Sequence, residues 1–254
     1  MDSPVILPKY YCGISGLVVP VPKYQFPEEF RNFSRLQYYA TFYNSIEINS
    51  SFYKIPRGAT LARWAASVPD KFRFTYKLFE NITHVKPFVV NEKDTLLFLE
   101  ALSGAEDKIG CLLIQFPPSL KVHSIDAVDK LLEFIRKSSQ NKTIPIAVEF
   151  RDKSWYQDGV YRMLDVHHAT IVIHDKASVP SPMLNLPTPL IYLRFHGPSG
   201  DYRGSYSDDF LYEYAGYIHE WLKEDKTVYV YFNNTMGDAF TNLQTLNRFL
   251  TELK

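Results

Sequence analysis

Three short segments of the chain place functional groups two residues apart. SIEINSSFY carries Glu47 and Asn49, IAVEFR carries Glu149 and Arg151, and YLRFHG carries Arg194 and His196. Each pair follows an apolar run, and a strand period of two puts both members on one face. Other apolar runs also end in a polar group: Ser15 after YYCGI, Lys77 in FRFTYK, Gln115 in CLLIQ, His174–Asp175 in IVIHD, and Asn233–Asn234 in YVYFNN. A carboxylate near a lysine is ionised and can act as a base, and an imidazole can donate a proton near neutrality. Glu47, Lys77, Glu149 and His196 are therefore the candidate catalytic set. Two carboxylates on different strands also fit a glycosidase, for which their separation would have to be known. Ser15 sits in GISGL, which is not the GxSxG elbow of a serine nucleophile.

The same segments carry cations, namely Lys77, Arg151 and Arg194. The run GPSGDYRGSY adds Arg203 among Gly197, Gly200 and Gly204. Glycines let backbone N–H groups converge on an anion. NNTMGDAF then leads into a helix start, which also favours negative charge. This pattern points to a phosphate or carboxylate held by Arg194 and the glycine loop. Tyr53, Trp155, Tyr202 and Tyr206 lie in or after these strand ends, where rings could stack a sugar or base. Glu47, Glu149, Asp175, His84 and His196 could supply metal ligands. Three nearby cations oppose a divalent ion, and no HxxxH, DxH or CxxC spacing occurs. No metal and no cofactor are expected. His167 and His168 are expected at the surface. The opposing structural reading is that Glu47, Lys77, Glu149 and Arg151 form an ion-pair network plugging the core, which would require nearly every charge to be paired.

Strand-like runs at 10–16, 45–53, 72–78, 109–116, 144–151, 169–175, 190–197 and 227–234 must position these groups. The segments between them read mostly as amphipathic helices, with apolar spacing over 26–40, 210–221 and 240–250. Ser124 and Ser207 are candidate N-caps. Residues 176–189 (KASVPSPMLNLPTP) hold four prolines and cannot be a normal helix. They follow the sixth strand and should border the cleft as a long loop. Alternating strands and helices predict an α/β fold: one (β/α)8 TIM barrel spanning 1–254, with a helix missing or irregular between strands six and seven. A doubly wound sheet is less suited, because GISGLVVPVP after the first strand is not GxGxxG.

The chain of 254 residues balances 28 Lys and Arg against 28 Asp and Glu. That gives no support to bulk attraction to nucleic acid or anionic membrane, although a local basic patch remains open. Apolar residues at 46% exclude a disordered chain. No apolar run suits a membrane helix, and the N-terminus lacks a signal-peptide pattern. Cys12 and Cys111 lie in apolar runs and are expected to be reduced, buried and cytoplasmic.

GISG, EINSSFY, FRFTYKL with ITH, IQFPPS, VEFRDKSW, YLRFHG with YRGSY, and YFNN with NLQTL follow in this order. Together they resemble the YecE-like family, a TIM-barrel domain of unknown function, over roughly residues 10–250. The resemblance implies Ser15, Glu47, Asn49, Tyr53, Lys77, His84, Gln115, Glu149, Arg151, Trp155, Arg194, His196, Asn233 and Asn234 as motif residues. It brings no established reaction. The family usually has Trp where this chain has Leu17, which weakens a stacking role for the first loop. Its likeness in fold to metal-dependent xylose isomerase and endonuclease IV barrels is analogy.

The reading is an enzyme using acid–base chemistry on a phosphate-bearing sugar, nucleotide or nucleic-acid end. The alternatives are a metal-dependent phosphodiesterase or isomerase, and a non-catalytic ligand- or nucleic-acid-binding barrel.

Overall fold

The computed structural model describes residues 7–138, 144–176, 178–183 and 188–253. Eight parallel strands form one sheet: β1 (Tyr10–Ile14), β2 (Ser45–Ile48), β3 (Arg73–Lys77), β4 (Ile109–Gln115), β5 (Ile146–Glu149), β6 (Ala169–His174), β7 (Leu190–Phe195) and β8 (Thr227–Phe232). Their order is β1-β8-β7-β6-β5-β4-β3-β2, so the sheet curls until its first and second strands meet. The helices are α1 (Arg35–Tyr39), α2 (Ser50–Tyr53), α3 (Gly58–Ala66), α4 (Glu80–Thr83), α5 (Glu92–Leu102), α6 (Ile125–Ser138), α7 (Asp158–Val166), α8 (Asp208–Lys223) and α9 (Ala239–Glu252). Among the described residues no helix lies between β6 and β7, as the prolines of 176–189 predict. Residues 177 and 184–187 of that segment lie outside the described residues.

The seam between β1 and β2 is closed mainly by side chains. One backbone bridge joins them, Ser15 with Glu47. The Tyr39 hydroxyl accepts from the Ile14 N–H at 2.8 Å and donates to the Ser45 carbonyl at 2.9 Å. Asn44 accepts from the Cys12 N–H at 2.9 Å and donates to the Tyr10 carbonyl at 2.8 Å. Buried backbone groups must be paired, and these two side chains take the place of a ladder. Gly13 permits the approach, because a Cβ there would lie 2.1 Å from the Ser45 carbonyl oxygen.

Both faces of the sheet are buried, which is why its strands read as near-continuous apolar runs. The outward face packs on the helices in one large cluster. The barrel interior is a second cluster of Cys111, Leu113, Ala147, Val172, Leu190, Tyr192, Tyr229 and Tyr231. The phenol of Tyr231 is satisfied locally. Thr75 and Tyr231 share a hydrogen bond of 2.8 Å, Tyr231 and Ser45 one of 2.5 Å, and Ser45 donates to the Arg73 carbonyl at 2.8 Å. Above this layer the alternation delivers the polar strand ends. Cys12 and Cys111 are free and buried, as expected.

Three local expectations change. The helical spacing over 26–40 is broken into a 3-10 turn at Glu28–Phe30 and the short α1, after a first 3-10 turn at Lys23–Gln25. Pro22 and Pro27 start the two turns, and the Ser34–Gln37 capping box starts α1 afresh. Strand two stops at Ile48 and 49–53 turn helical, because the Ser51 hydroxyl bonds the carbonyls of Ile48 (2.7 Å) and Lys77 (2.8 Å). Asn49 therefore does not extend the strand face of Glu47. Ser124 closes a 3-10 turn, Val122–Ser124, that runs straight into α6. Ser207 does cap α8, accepting from the Phe210 N–H.

Candidate functional site

The C-terminal strand ends bring the predicted charges into one buried cluster. From β7, Arg194 donates through Nε and Nη2 to Glu47 of β2, at 3.1 and 2.8 Å. Its Nη1 donates to Glu149 of β5 at 3.0 Å. Arg151 pairs with the other Glu149 oxygen. Tyr192 donates to Glu47 at 2.6 Å. Glu47, Glu149, Arg194 and His196 are essentially inaccessible to solvent. The sequence-based network reading thus describes Glu47, Glu149 and Arg151, with Arg194 at its centre.

Burial alone would push both carboxyls up. For Glu47 the charge and hydrogen bonds of Arg194, with Tyr192 and Ser15, overcome it and hold the group below its ordinary value. Arg151 and Arg194 hold Glu149 well below the carboxylate range. Carboxylates held ionised by guanidinium partners are weaker bases than free ones, which weighs against the base role expected for them. They also share one guanidinium, so neither is a protonated acid of the kind a glycosidase uses.

His196 differs from expectation in the same way. Burial depresses its pKa to about 4, against the pull of Asp175 and Glu149, so the ring is neutral at pH 7 rather than a proton donor. Its Nε2 faces Arg151 Nη2 at 3.0 Å and Arg194 Nη1 at 3.3 Å. Guanidinium groups only donate, so Nε2 accepts and the proton sits on Nδ1. Nδ1 lies 3.4 Å from Asp175 Oδ1. Asp175 also accepts from the His196 backbone N–H at 2.6 Å and from the Tyr206 hydroxyl. His174 is buried too, with Nε2 beside the Phe150 carbonyl and the Tyr156 hydroxyl.

Beside this cluster opens a cavity of about 150 Å³ lined by Asn49, Tyr53, Lys77, Gln115, Arg194, Tyr202 and Asn233. Lys77 Nζ sits 3.9 Å from the centre of the Phe52 ring and forms no ion pair among the described residues. Burial lowers its pKa to about 8, helped by Arg194 and opposed by Glu149 and Glu47. His84 packs edge-on to Phe52, and its Nδ1 lies 2.8 Å from Thr83 Oγ1. Burial, then Lys77, depresses its pKa to about 4. The Oδ1 of Asn49 is buried without a hydrogen-bond partner among the described residues, while its Nδ2 donates to the Ser15 carbonyl at 3.3 Å.

The remaining predicted residues divide between framework and rim. Trp155, expected at the mouth, is fully buried. Its N–H donates to the Leu120 carbonyl at 2.9 Å and its ring stacks on Phe150, so it packs the sheet against its helices. Tyr206 is buried, with its hydroxyl occupied by Asp175 and by the Gly197 N–H at 2.5 Å. Asn234 donates to the Gly204 carbonyl at 3.0 Å and to Asn242 at 2.9 Å, tying the glycine loop to α9. A Cβ on Gly197 would meet the Arg203 carbonyl oxygen at 2.3 Å, so glycine there lets the loop fold on itself. The Arg203 residue is exposed. Tyr53 is 70% exposed at the rim. Lys176, at the start of the proline-rich segment, lies over Tyr202 at 4.2 Å, which places that end of the segment beside the cavity. His167 is not a surface residue: it is buried against Asp129 at 2.7 Å. Sequence reasoning missed Tyr192 and Phe52. Tyr192 lies two before Arg194 on the same strand, so alternation already aimed it at the cluster. Nothing local marks Phe52 as the neighbour of Lys77.

The geometry defines a class: a parallel barrel whose C-terminal mouth sets a polar cavity against a buried ion-pair cluster. Residues 12–254 match the family model described as "Protein of unknown function DUF72", and the chain belongs to that family. It is 26% identical over 249 residues to UPF0759 protein YunF of Bacillus subtilis, covering 85% of this chain and 86% of the relative. To UPF0759 protein YecE of Escherichia coli it is 25% identical over 118 residues, 46% of this chain and 43% of the relative. The crystal structure of a DUF72 family protein, EF0366 of Enterococcus faecalis, superposes with a TM-score of 0.78 at 22% identity, covering 95% of each chain. That of TM1631 of Thermotoga maritima gives 0.72 at 25% identity, covering 96% of this chain and 98% of the other.

Proposed function

We propose that the protein is an enzyme that takes the phosphate-bearing end of a sugar, nucleotide or nucleic-acid strand in the barrel mouth, and that Lys77 is its acid–base group. The observation that carries this reading is the pairing pattern among the cavity-lining residues. Arg194 is tied to two carboxylates, whereas Lys77 is paired with none among the described residues. Four of the five guanidinium hydrogens of Arg194 are directed at Glu47, Glu149 and His196, which leaves one for a ligand. The positive charge that an anion meets is therefore chiefly that of Lys77. With a pKa near 8 the amine exchanges protons close to physiological pH, as an efficient acid or base requires. Asn49, Gln115 and Asn233 supply amides for hydroxyl and phosphoryl oxygens, and Tyr53 and Tyr202 supply rings at the rim.

A cavity of about 150 Å³ is smaller than the ~300–1,000 Å³ that encloses a drug-sized ligand. It suits the reacting end of a substrate whose remainder lies over the rim. The metal-dependent alternative has less support: Glu47 and Glu149 already face guanidinium groups, and no three His, Cys, Asp or Glu among the described residues are grouped to hold one ion.

The test is a thermal-shift series with inorganic phosphate, sugar phosphates, nucleotides and the matching unphosphorylated sugars. NMR turnover assays follow for the best hit in wild type and Lys77→Met. Stabilisation by phosphorylated compounds, with turnover lost in the variant, is expected. Equal responses to phosphorylated and plain sugars would refute the anion site. Tight binding without turnover in wild type would favour the non-catalytic barrel.

A further inference from the structure

Lys77 combines features that a proton-transfer group alone does not need. Its Nζ lies over an aromatic face, inside a cavity, with Arg194 on one side. The two carboxylates that would otherwise neutralise it, Glu47 and Glu149, are held by Arg194 and Arg151. His84 beside it is neutral. The amine thus lies near other cations, and among the described residues no carboxylate pairs with it to fix its proton. Such surroundings favour the neutral, nucleophilic amine.

From this arrangement we infer that Lys77 is a covalent nucleophile, forming an imine with an aldehyde or ketone that also carries a phosphate or carboxylate. This rests on the reading of Lys77 as the reacting group of the mouth, and it narrows the substrate to carbonyl compounds, open-chain sugar phosphates among them. The Nζ lone pair attacks the carbonyl carbon, and the π electrons pass to oxygen. The resulting carbinolamine loses water: the oxygen departs with the two amine hydrogens, leaving a carbon–nitrogen double bond. No oxidant or reductant is consumed. Protonation of that imine restores the positive charge at the position of the ammonium, so attraction to the anionic end of the substrate is retained. Asn49 lines the same cavity, and its Oδ1 has no hydrogen-bond partner among the described residues, so a turn of the amide would let it accept from the carbinolamine hydroxyl.

The experiment uses the full chain at pH 8 with sodium cyanoborohydride and, separately, dihydroxyacetone phosphate, pyruvate and the neutral hydroxyacetone. Intact mass and peptide mapping follow. The neutral fraction of Lys77 at that pH exceeds that of an ordinary lysine, with a pKa of ~10.4, by about a hundredfold. The expected result is an adduct of one probe less one oxygen, located on Lys77. It should form at least ~10 times faster than on any other lysine, and faster with the two anionic probes than with hydroxyacetone. Mapping the wild-type protein does not depend on a variant that folds; Lys77→Met should in addition lose the adduct. Glycerol 3-phosphate, which has no carbonyl, separates the two readings by thermal shift. If it stabilises the protein while Lys77 stays unlabelled, the imine inference falls and the phosphate-site reading stands. If neither stabilisation nor labelling occurs, both fall. Labelling of Lys77 at the same rate by hydroxyacetone would overturn the anionic substrate class.

Discussion

Glu47 and Arg194 meet inside the barrel mouth through a two-pronged contact, with guanidinium Nε and Nη2 both donating to one carboxylate that sees no solvent. The arginine also reaches Glu149, so β2, β5 and β7 are tied together at their C-terminal ends. Removing one partner of a buried pair strands the other, at a cost of roughly 3–5 kcal/mol. Arg194→Met is therefore expected to lower unfolding free energy by about that amount, measured by urea denaturation. Arg194→Lys keeps the charge but cannot reproduce the fork, so it too should act mainly on stability. A stable Arg194→Lys protein that has lost only affinity for a phosphorylated ligand would contradict this assignment.

Acid should weaken the fold earlier than carboxylate titration alone predicts. The pKa of His196 falls from 6.5 to about 4 on folding. Between those values the unfolded chain binds the proton and the folded chain does not, so stability drops as pH falls from 6.5 towards 4. His174 is shifted in the same direction. Glu47 and Glu149, with lowered values, add stability that is present above the unfolded carboxylate pKa and is lost as pH falls through the folded ones. Urea midpoints at pH 8, 6.5, 5.5 and 4.5 are expected to decline from pH 6.5 downward. His196→Phe should flatten the upper part of that decline; an unchanged slope would mean the ring is protonated in the folded protein.

Lys77 should stand apart from the other lysines in competitive labelling with a small acylating reagent. The expected midpoint of its rate against pH is about 8, against ~10.4 for a model lysine. Quantitative peptide mapping reads both in one sample. A Lys77 midpoint at the ordinary value would place its ammonium in contact with a carboxylate after all.

The β1–β2 seam draws part of its support from one hydroxyl. Tyr39→Phe removes the group that joins the Ile14 N–H to the Ser45 carbonyl, leaving two buried backbone groups unpaired at a cost of about 1–3 kcal/mol each. Gly13→Ala forces a Cβ against the same carbonyl and should be still less tolerated. Thermal melts of both variants test this, and a Tyr39→Phe melt equal to wild type would show that the Asn44 bonds and the Ser15–Glu47 bridge suffice.

Trp155 and Tyr53 should separate cleanly under alanine substitution. Trp155 is fully buried on Phe150, so Trp155→Ala should cost roughly 3–5 kcal/mol of stability. Tyr53 is largely exposed at the cavity rim, so Tyr53→Ala should leave melting nearly unchanged and alter ligand affinity. Reversed behaviour would exchange their roles.

The eight strands and the polar residue at the end of each were legible because period-two alternation is a local property of the chain. It put Glu149, Arg151, Arg194 and His196 on inward faces, and the barrel reading brought them to one mouth. Local pattern also gave the missing helix after β6, since proline cannot donate within a helix. What could not be read was which charge neutralises which. Glu47 and Arg194 lie 147 positions apart, and only closure of the sheet makes them neighbours. Their pairing weighs against the expected roles: Glu47 and Glu149 are engaged by guanidinium groups, His196 Nε2 faces two of them, and Lys77 is the amine that lines the cavity. The sequence by itself determined the element order and the chemistry available at the strand ends. Tertiary structure alone decided protonation and availability, because both depend on burial and on partners drawn from distant strands.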